Sequence, residues 1–110
     1  MEAEDRRIFE RIKLKFPLKF LASMDGIEGR AEAVDISGNG VGFITDANLP
    51  EKSTLEMWLE IPDHHAPFYT RGEVIWSKAL DNTGQQRVGV RILRENFIGF
   101  ARIFWADKSA

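Results

Sequence analysis

Arg7 and Arg11 stand four residues apart as RxxxR, and Asp35, Ser37 and Gly40 fall in the spacing DxSxxG. An arginine guanidinium is a planar fork that binds phosphate through two parallel N–H bonds, donates to O6 and N7 of guanine, or stacks over a base. Lysine supplies the charge but neither the fork nor the stacking face. The Asp35 carboxylate suits the N1–H and N2–H donors on guanine's Watson–Crick edge, a pairing that adenine cannot reproduce. Ser37 adds a short hydroxyl. Gly40 fits where φ is positive or where backbone passes close to a ligand, and Gly38 and Asn39 tolerate a left-handed turn. In an extended segment Arg7 and Arg11 lie at most about 13–14 Å apart, enough to reach different parts of one ligand; in a helix they share a face. The set suits a small ligand carrying phosphates and guanine bases.

RxxxR alone is close to noise, since nine arginines in 110 residues give roughly 0.7 chance matches. A second copy, Arg87-Val88-Gly89-Val90-Arg91, falls in a segment that alternates like an ordinary strand, which predicts an exposed face opposite Val88, Val90 and Ile92. DxSxxG, with Asn allowed for Asp, arises by chance only about 0.04 times in such a chain. Its occurrence downstream of an arginine pair is the informative observation. With both motifs in that order, the chain resembles the PilZ domain family. Gly72-Glu73-Val74-Ile75-Trp76 and Val88-Gly89-Val90-Arg91-Ile92 also look like later strands of that family.

The resemblance implies a non-enzymatic receptor built on a small β-barrel that binds the second messenger cyclic di-GMP. Its ligand-binding residues are then Arg6, Arg7, Arg11, Asp35, Ser37, Gly38 and Gly40. The arginine segment is loose without ligand and folds over the barrel, trapping the dinucleotide against the DxSxxG surface. Arg6, directly before RxxxR, implies an intercalated pair of dinucleotides rather than one. Signalling then passes to an effector protein that the sequence does not identify, in motility, exopolysaccharide synthesis, biofilm formation or virulence. The competing readings are a ligand-free PilZ-like interaction protein, as in type IV pilus assembly, and a nucleic-acid-binding barrel of OB type. The first typically lacks the motif residues, all five of which are present. The second needs outward stacking aromatics, whereas Phe16, Phe20 and Phe43 fall on apolar faces.

The elements that must hold these residues are strands. Ile12 to Phe20 alternates without a break, placing Ile12, Leu14, Phe16, Leu18 and Phe20 on one buried face. Pro17 lacks a ladder donor and suggests an edge position or a local interruption. Asp25-Gly26 predicts a turn, Ile27 to Val34 a second strand, and the motif at Asp35 then interrupts the pattern. Val41 to Ile44, Leu55 to Ile61, Phe68 to Ala79 and Gln86 to Leu93 read as four more strands, with a proline-bracketed loop over 62–67 and a turn over 81–84. Short strands at this spacing predict an all-β fold, a six-stranded antiparallel barrel. Phe97, Phe100, Ala101 and Phe104 recur at helical spacing with Asn96 as N-cap, predicting a C-terminal α-helix that packs on the barrel or offers a dimer surface. The expected organisation is a single domain over 1–110: an arginine segment over 1–11, the barrel over 12–93 and the helix over 95–106.

Composition sets the remaining bounds. A chain of 110 residues with 44% hydrophobic and 29% charged residues is sized for one core and ordinary for a globular protein. There is no cysteine, which removes disulfides, thiolate catalysis and cysteine-ligated zinc. No apolar run reaches the length of a membrane span and Met1 to Arg6 has no hydrophobic signal region, so no membrane insertion and a cytoplasmic location are expected, as a monomer or homodimer. A net charge of −2 and a pI near 5.7 argue against a general nucleic-acid binder. Asp63-His64-His65 invites a metal reading, but adjacent histidines diverge and no further ligands stand at useful spacing. No cofactor or metal is expected.

Overall fold

The computed structural model describes residues 14–24, 26–37 and 40–93, with the backbone alone at Ser37. Period-2 patterning produces six strands: β1 (Phe16–Ala22), β2 (Glu28–Ser37), β3 (Gly40–Thr45), β4 (Thr54–Leu59), β5 (Phe68–Ala79) and β6 (Gln86–Ile92). They close into a barrel in the order β1-β2-β3-β6-β5-β4, every neighbouring pair antiparallel. Two long-range pairings, β1 with β4 and β3 with β6, close the ring. Alternate residues fill its interior: Leu18, Phe20, Phe43, Leu55, Met57 and Val90 are all buried, and the Phe20 and Phe43 rings stack with centroids 5.9 Å apart. A fully buried side chain of this size stabilises the fold by about 1.5–3 kcal/mol, so the interior face is what fixes each strand's register.

The all-β expectation and the six-stranded barrel agree with this architecture, and the limits of β5 coincide with the expected ones. Three local expectations are corrected. β1 is Phe16–Ala22, so Leu14 and Lys15 precede it, Leu14 half-buried against the core, while Ile12 and Lys13 lie outside the described residues. The side-chain pattern outlasts the ladder because β1 needs partners, and its first one is Ala33.

Pro17 occupies no edge, for the closed barrel has none. The Glu60 N–H donates to the Pro17 carbonyl over 3.0 Å. A strand residue's N–H and C=O face the same neighbour, so the donor that proline lacks points toward β4 just where that ladder begins, at Leu18 and Leu59.

DxSxxG does not interrupt β2 at Asp35. The strand continues through it, pairing Asp35 with Gly42, Ile36 with Val41 and Ser37 with Gly40. The turn over 81–84 forms as expected, with Asn82 and Gly84 at positive φ and Leu80 N–H donating to the Gln85 carbonyl. Gly26 also has positive φ, while its expected turn partner Asp25, the arginine segment over 1–11 and the helix over 95–106 lie outside the described residues.

Candidate functional site

Two of the six ladders slip by one residue, and both slips precede a side chain that can do chemistry. On β2 the register with β3 shifts between Ala33 and Asp35. Ala33 and Ile36 both face the core although three positions separate them, a parity that alternation forbids and one extra residue, Val34, restores. On β5 the register with β6 shifts between Val74 and Trp76. Val74 is buried whereas Trp76, two positions on, keeps 39% of its surface in solvent. These β-bulges re-aim Asp35 and Trp76 onto the outer wall.

What they meet there is backbone. Gly42 on β3 pairs with Asp35 on one side and with Gly89 of β6 on the other, and Gly89 pairs with Trp76. The row Asp35–Gly42–Gly89–Trp76 thus crosses four strands with no side chain at its centre. A Cβ built on Gly42 would lie 2.6 Å from Asp35 Oδ1, and one on Gly89 would run into the Trp76 indole. The carboxylate and the indole each rest over a glycine that cannot be replaced without moving them.

Arg87 completes the row. Its Nη2 donates to Asp35 Oδ2, crossing β3 from β6 to reach it. The Asp35 side chain is only 13% exposed against 41% for Arg87, so the acid is largely sheltered and the cation faces outward. Arg91, the second arginine of that RxxxR copy, pairs in register with Glu73, Nη2 to Oε1 at 2.8 Å, in solvent. The expected exposed face opposite Val88, Val90 and Ile92 is present, and Arg87 on it is in addition tied to the motif carboxylate. Ser37 and Gly40 pair at the end of this surface, and Gly40 pairs onward with Arg91. The structure thus brings Asp35, Gly40 and the backbone of Ser37 together. Arg6, Arg7, Arg11 and Gly38 lie outside the described residues.

Sequence reasoning missed Arg87, Trp76, Gly42 and Gly89 as members of the site. Isolated glycines inside two strand patterns were the available signal, since such glycines mark a bulge or close approach.

The opposite wall carries a groove over β1, β2 and β4, lined among others by Lys19, Leu21, Glu28, Arg30 and Trp58, none of them in either motif. In the 62–67 loop His65 turns back on its own neighbour: its backbone N–H donates to Asp63 Oδ1 over 3.1 Å, and its Nδ1 lies 2.7 Å from the Asp63 carbonyl oxygen. Among the described residues no group of three or more His, Cys, Asp or Glu side chains could hold a metal ion, and no helix is long and apolar enough to cross a membrane.

A sequence model described as the PilZ domain matches residues 5–98. The chain belongs to the PilZ domain family. Its barrel is similar to the PilZ domain with c-di-GMP of YcgR from Escherichia coli, with a TM-score of 0.70 at 18% identity, covering 94% of this chain and 93% of that one. It is similar also to the Bacillus subtilis inhibitor of motility MotI/DgrA, with a TM-score of 0.69 at 11% identity over 94% of this chain and 51% of that one. A third likeness is to the MrkH–c-di-GMP complex of K. pneumonia, with a TM-score of 0.66 at 14% identity over 91% of this chain and 50% of that one. This PilZ domain therefore spans about half the length of MotI/DgrA and MrkH. No curated protein sequence matches it.

Proposed function

We propose that this PilZ domain is a cyclic di-GMP receptor whose ligand rests on the outer wall of β2, β3, β6 and β5. The observation that carries the reading is the placement of Asp35 and a surface indole on one outer wall, three strand pairings apart and each over bare backbone, in a family whose relatives YcgR and MrkH are described with c-di-GMP bound. A carboxylate accepts from the guanine N1–H and N2–H groups. Trp76, half-exposed and backed by Gly89, offers a flat face to a purine, a contact of about 1–3 kcal/mol per base. Ser37, Gly38 and Gly40 border the same surface in sequence. Arg6, Arg7 and Arg11 supply the cations for the phosphodiesters and close over the ligand, and Arg6 gives the third positive charge that a stacked pair of dinucleotides calls for. Binding changes the exposed surface and no bond is made or broken. The signal passes to an effector protein, and the likeness to an inhibitor of motility makes motility control one candidate output.

Calorimetric titration with cyclic di-GMP, with GMP, GTP and cyclic di-AMP as controls, tests the reading. The expected result is micromolar or tighter binding that is selective for guanine and weakened by salt. Two equivalents at the endpoint support the intercalated pair, and one equivalent removes it. No heat at high micromolar ligand, with the protein folded, sinks the receptor.

A further inference from the structure

We infer that Arg87 is a positioning residue, which holds the Asp35 carboxylate flat across the Gly42 gap and so sets the guanine selectivity of the site. The inference rests on the receptor reading above. Neighbouring strands lie about 4.8 Å apart, so β6 and β2, with β3 between them, are about 10 Å apart. An arginine crosses that span close to the wall, and reaches a sheltered acid, where the strand beneath leaves room. Gly42, opposite Asp35, leaves it. The link is then made to Oδ2, while Oδ1 lies over the Gly42 backbone, so two separate constraints act on the two oxygens of one carboxylate. Arg87 on Oδ2 and the Gly42 backbone under Oδ1 both limit how the acid can turn.

The geometry also separates Arg87 from the other cations of this wall. Arg91 pairs with its direct cross-strand neighbour Glu73 and both stand in water, an arrangement that needs nothing from β3. Arg87 bypasses Ile44, its own register partner on β3, to reach an acid sheltered from solvent. Without Arg87 the link to Oδ2 is gone and that oxygen is no longer held in its present direction, so the carboxylate tilts. It then no longer presents the pair of acceptors that a guanine edge needs.

The test uses the full chain with cyclic di-GMP and cyclic di-AMP as the two probes, reading affinity for both, and the side-chain carboxyl carbon resonance of Asp35 without ligand. Arg87→Gln should weaken cyclic di-GMP by roughly tenfold while changing cyclic di-AMP little, so that selectivity narrows. Arg87→Lys should recover part of the loss. Gly42→Ala, which alters no charge, should narrow selectivity in the same way, because the new Cβ displaces Oδ1. Arg87→Gln combined with Asp35→Asn should bind no more weakly than Asp35→Asn alone, and Arg87→Gln should move the Asp35 carboxyl resonance in the free protein.

Equal losses for both dinucleotides that add to the Asp35→Asn loss would instead assign Arg87 to the ligand phosphates and overturn the inference. Unchanged selectivity in Arg87→Gln, or an Asp35 resonance that does not move, overturns it too, and in those cases the unsubstituted chain still binds and the receptor stands. Should Arg87→Gln fail to fold, Arg87→Lys and Gly42→Ala carry the same comparison. Absence of binding by the unsubstituted chain overturns both readings together.

Discussion

Arg30 and Arg87 each reach across an intervening strand to an acid, and the two links differ in what lies beneath them. Arg30 on β2 passes over β1 to Glu60, Nη2 to Oε2 at 3.1 Å, with both partners well exposed. The strand it crosses shows Pro17 and Lys19 to solvent. Arg87 passes over Gly42 to a carboxylate that is mostly covered. The three ladders on the first wall, β1–β2, β1–β4 and β4–β5, run without a register shift. On the second wall β2–β3 and β5–β6 each slip once. The regular half is built for closure, and its charges are ordinary surface pairs worth about 0–1 kcal/mol. The irregular half gives up alternation twice and side chains twice, and sets a carboxylate and an indole on bare backbone.

The largest expected contrast lies in the cations. Arg7→Ala and Arg11→Ala should each weaken cyclic di-GMP by about 2–4 kcal/mol, whereas Lys19→Ala and Arg30→Ala should leave the calorimetric Kd within about twofold, as expected of surface groups far from the site. Equal losses from Lys19 or Arg30 would move the ligand to the regular wall and break the comparison.

Glycines give the next contrast. Gly89→Ala should cost about 1–3 kcal/mol of affinity by displacing the indole, with a smaller loss of stability because the exposed ring can swing into solvent. Gly29→Ala places a Cβ 3.0 Å from Cζ of buried Phe20, and should lower stability in urea by about 1–3 kcal/mol through overpacking while binding is unchanged.

Aromatic truncation follows. Trp58 and Tyr69 meet on the regular wall with centroids 5.4 Å apart, so Trp58→Ala should cost about 0.5–1.5 kcal/mol of stability beyond its area and nothing in affinity. If Trp58→Ala weakens binding as Trp76→Ala does, the two walls are not functionally distinct.

The smallest effect is a titration. Tyr69 is the chain's single tyrosine, and its hydroxyl donates to Glu56 Oε1 over 2.7 Å. That hydrogen bond, with lesser contributions from burial and from the Glu56 charge, raises its pKa above the usual value near 10. The neutral phenol is favoured in the fold, so this contribution is present below about pH 10 and is lost as pH rises through the raised pKa. Glu56→Gln should shift the ultraviolet phenolate transition downward, and cyclic di-GMP should not move it.

The barrel was legible because burial enforces a period of two. Leu55, Met57, Leu59 and Ile61 could be placed inward from sequence, and all are buried. β1 was misplaced at its start because an alternating pattern says which face is apolar and not where a partner strand begins. In the site, Asp35 was legible through its motif. Arg87 was not, since the segment Gln86–Ile92 alternates evenly and nothing local marks a residue whose partner is 52 positions away. Trp76 was hidden by its bulge: parity with Val74 places it inward, and only the extra residue Ile75 turns it out.

Closure of the ring carries one more consequence. With each strand gripped by a neighbour on either flank, none can slide or peel without tearing hydrogen bonds on both sides. The wall therefore acts as an anvil. Whatever settles on the outer row meets a frame that keeps its register, so any response begins in the side chains of that row and not in the frame.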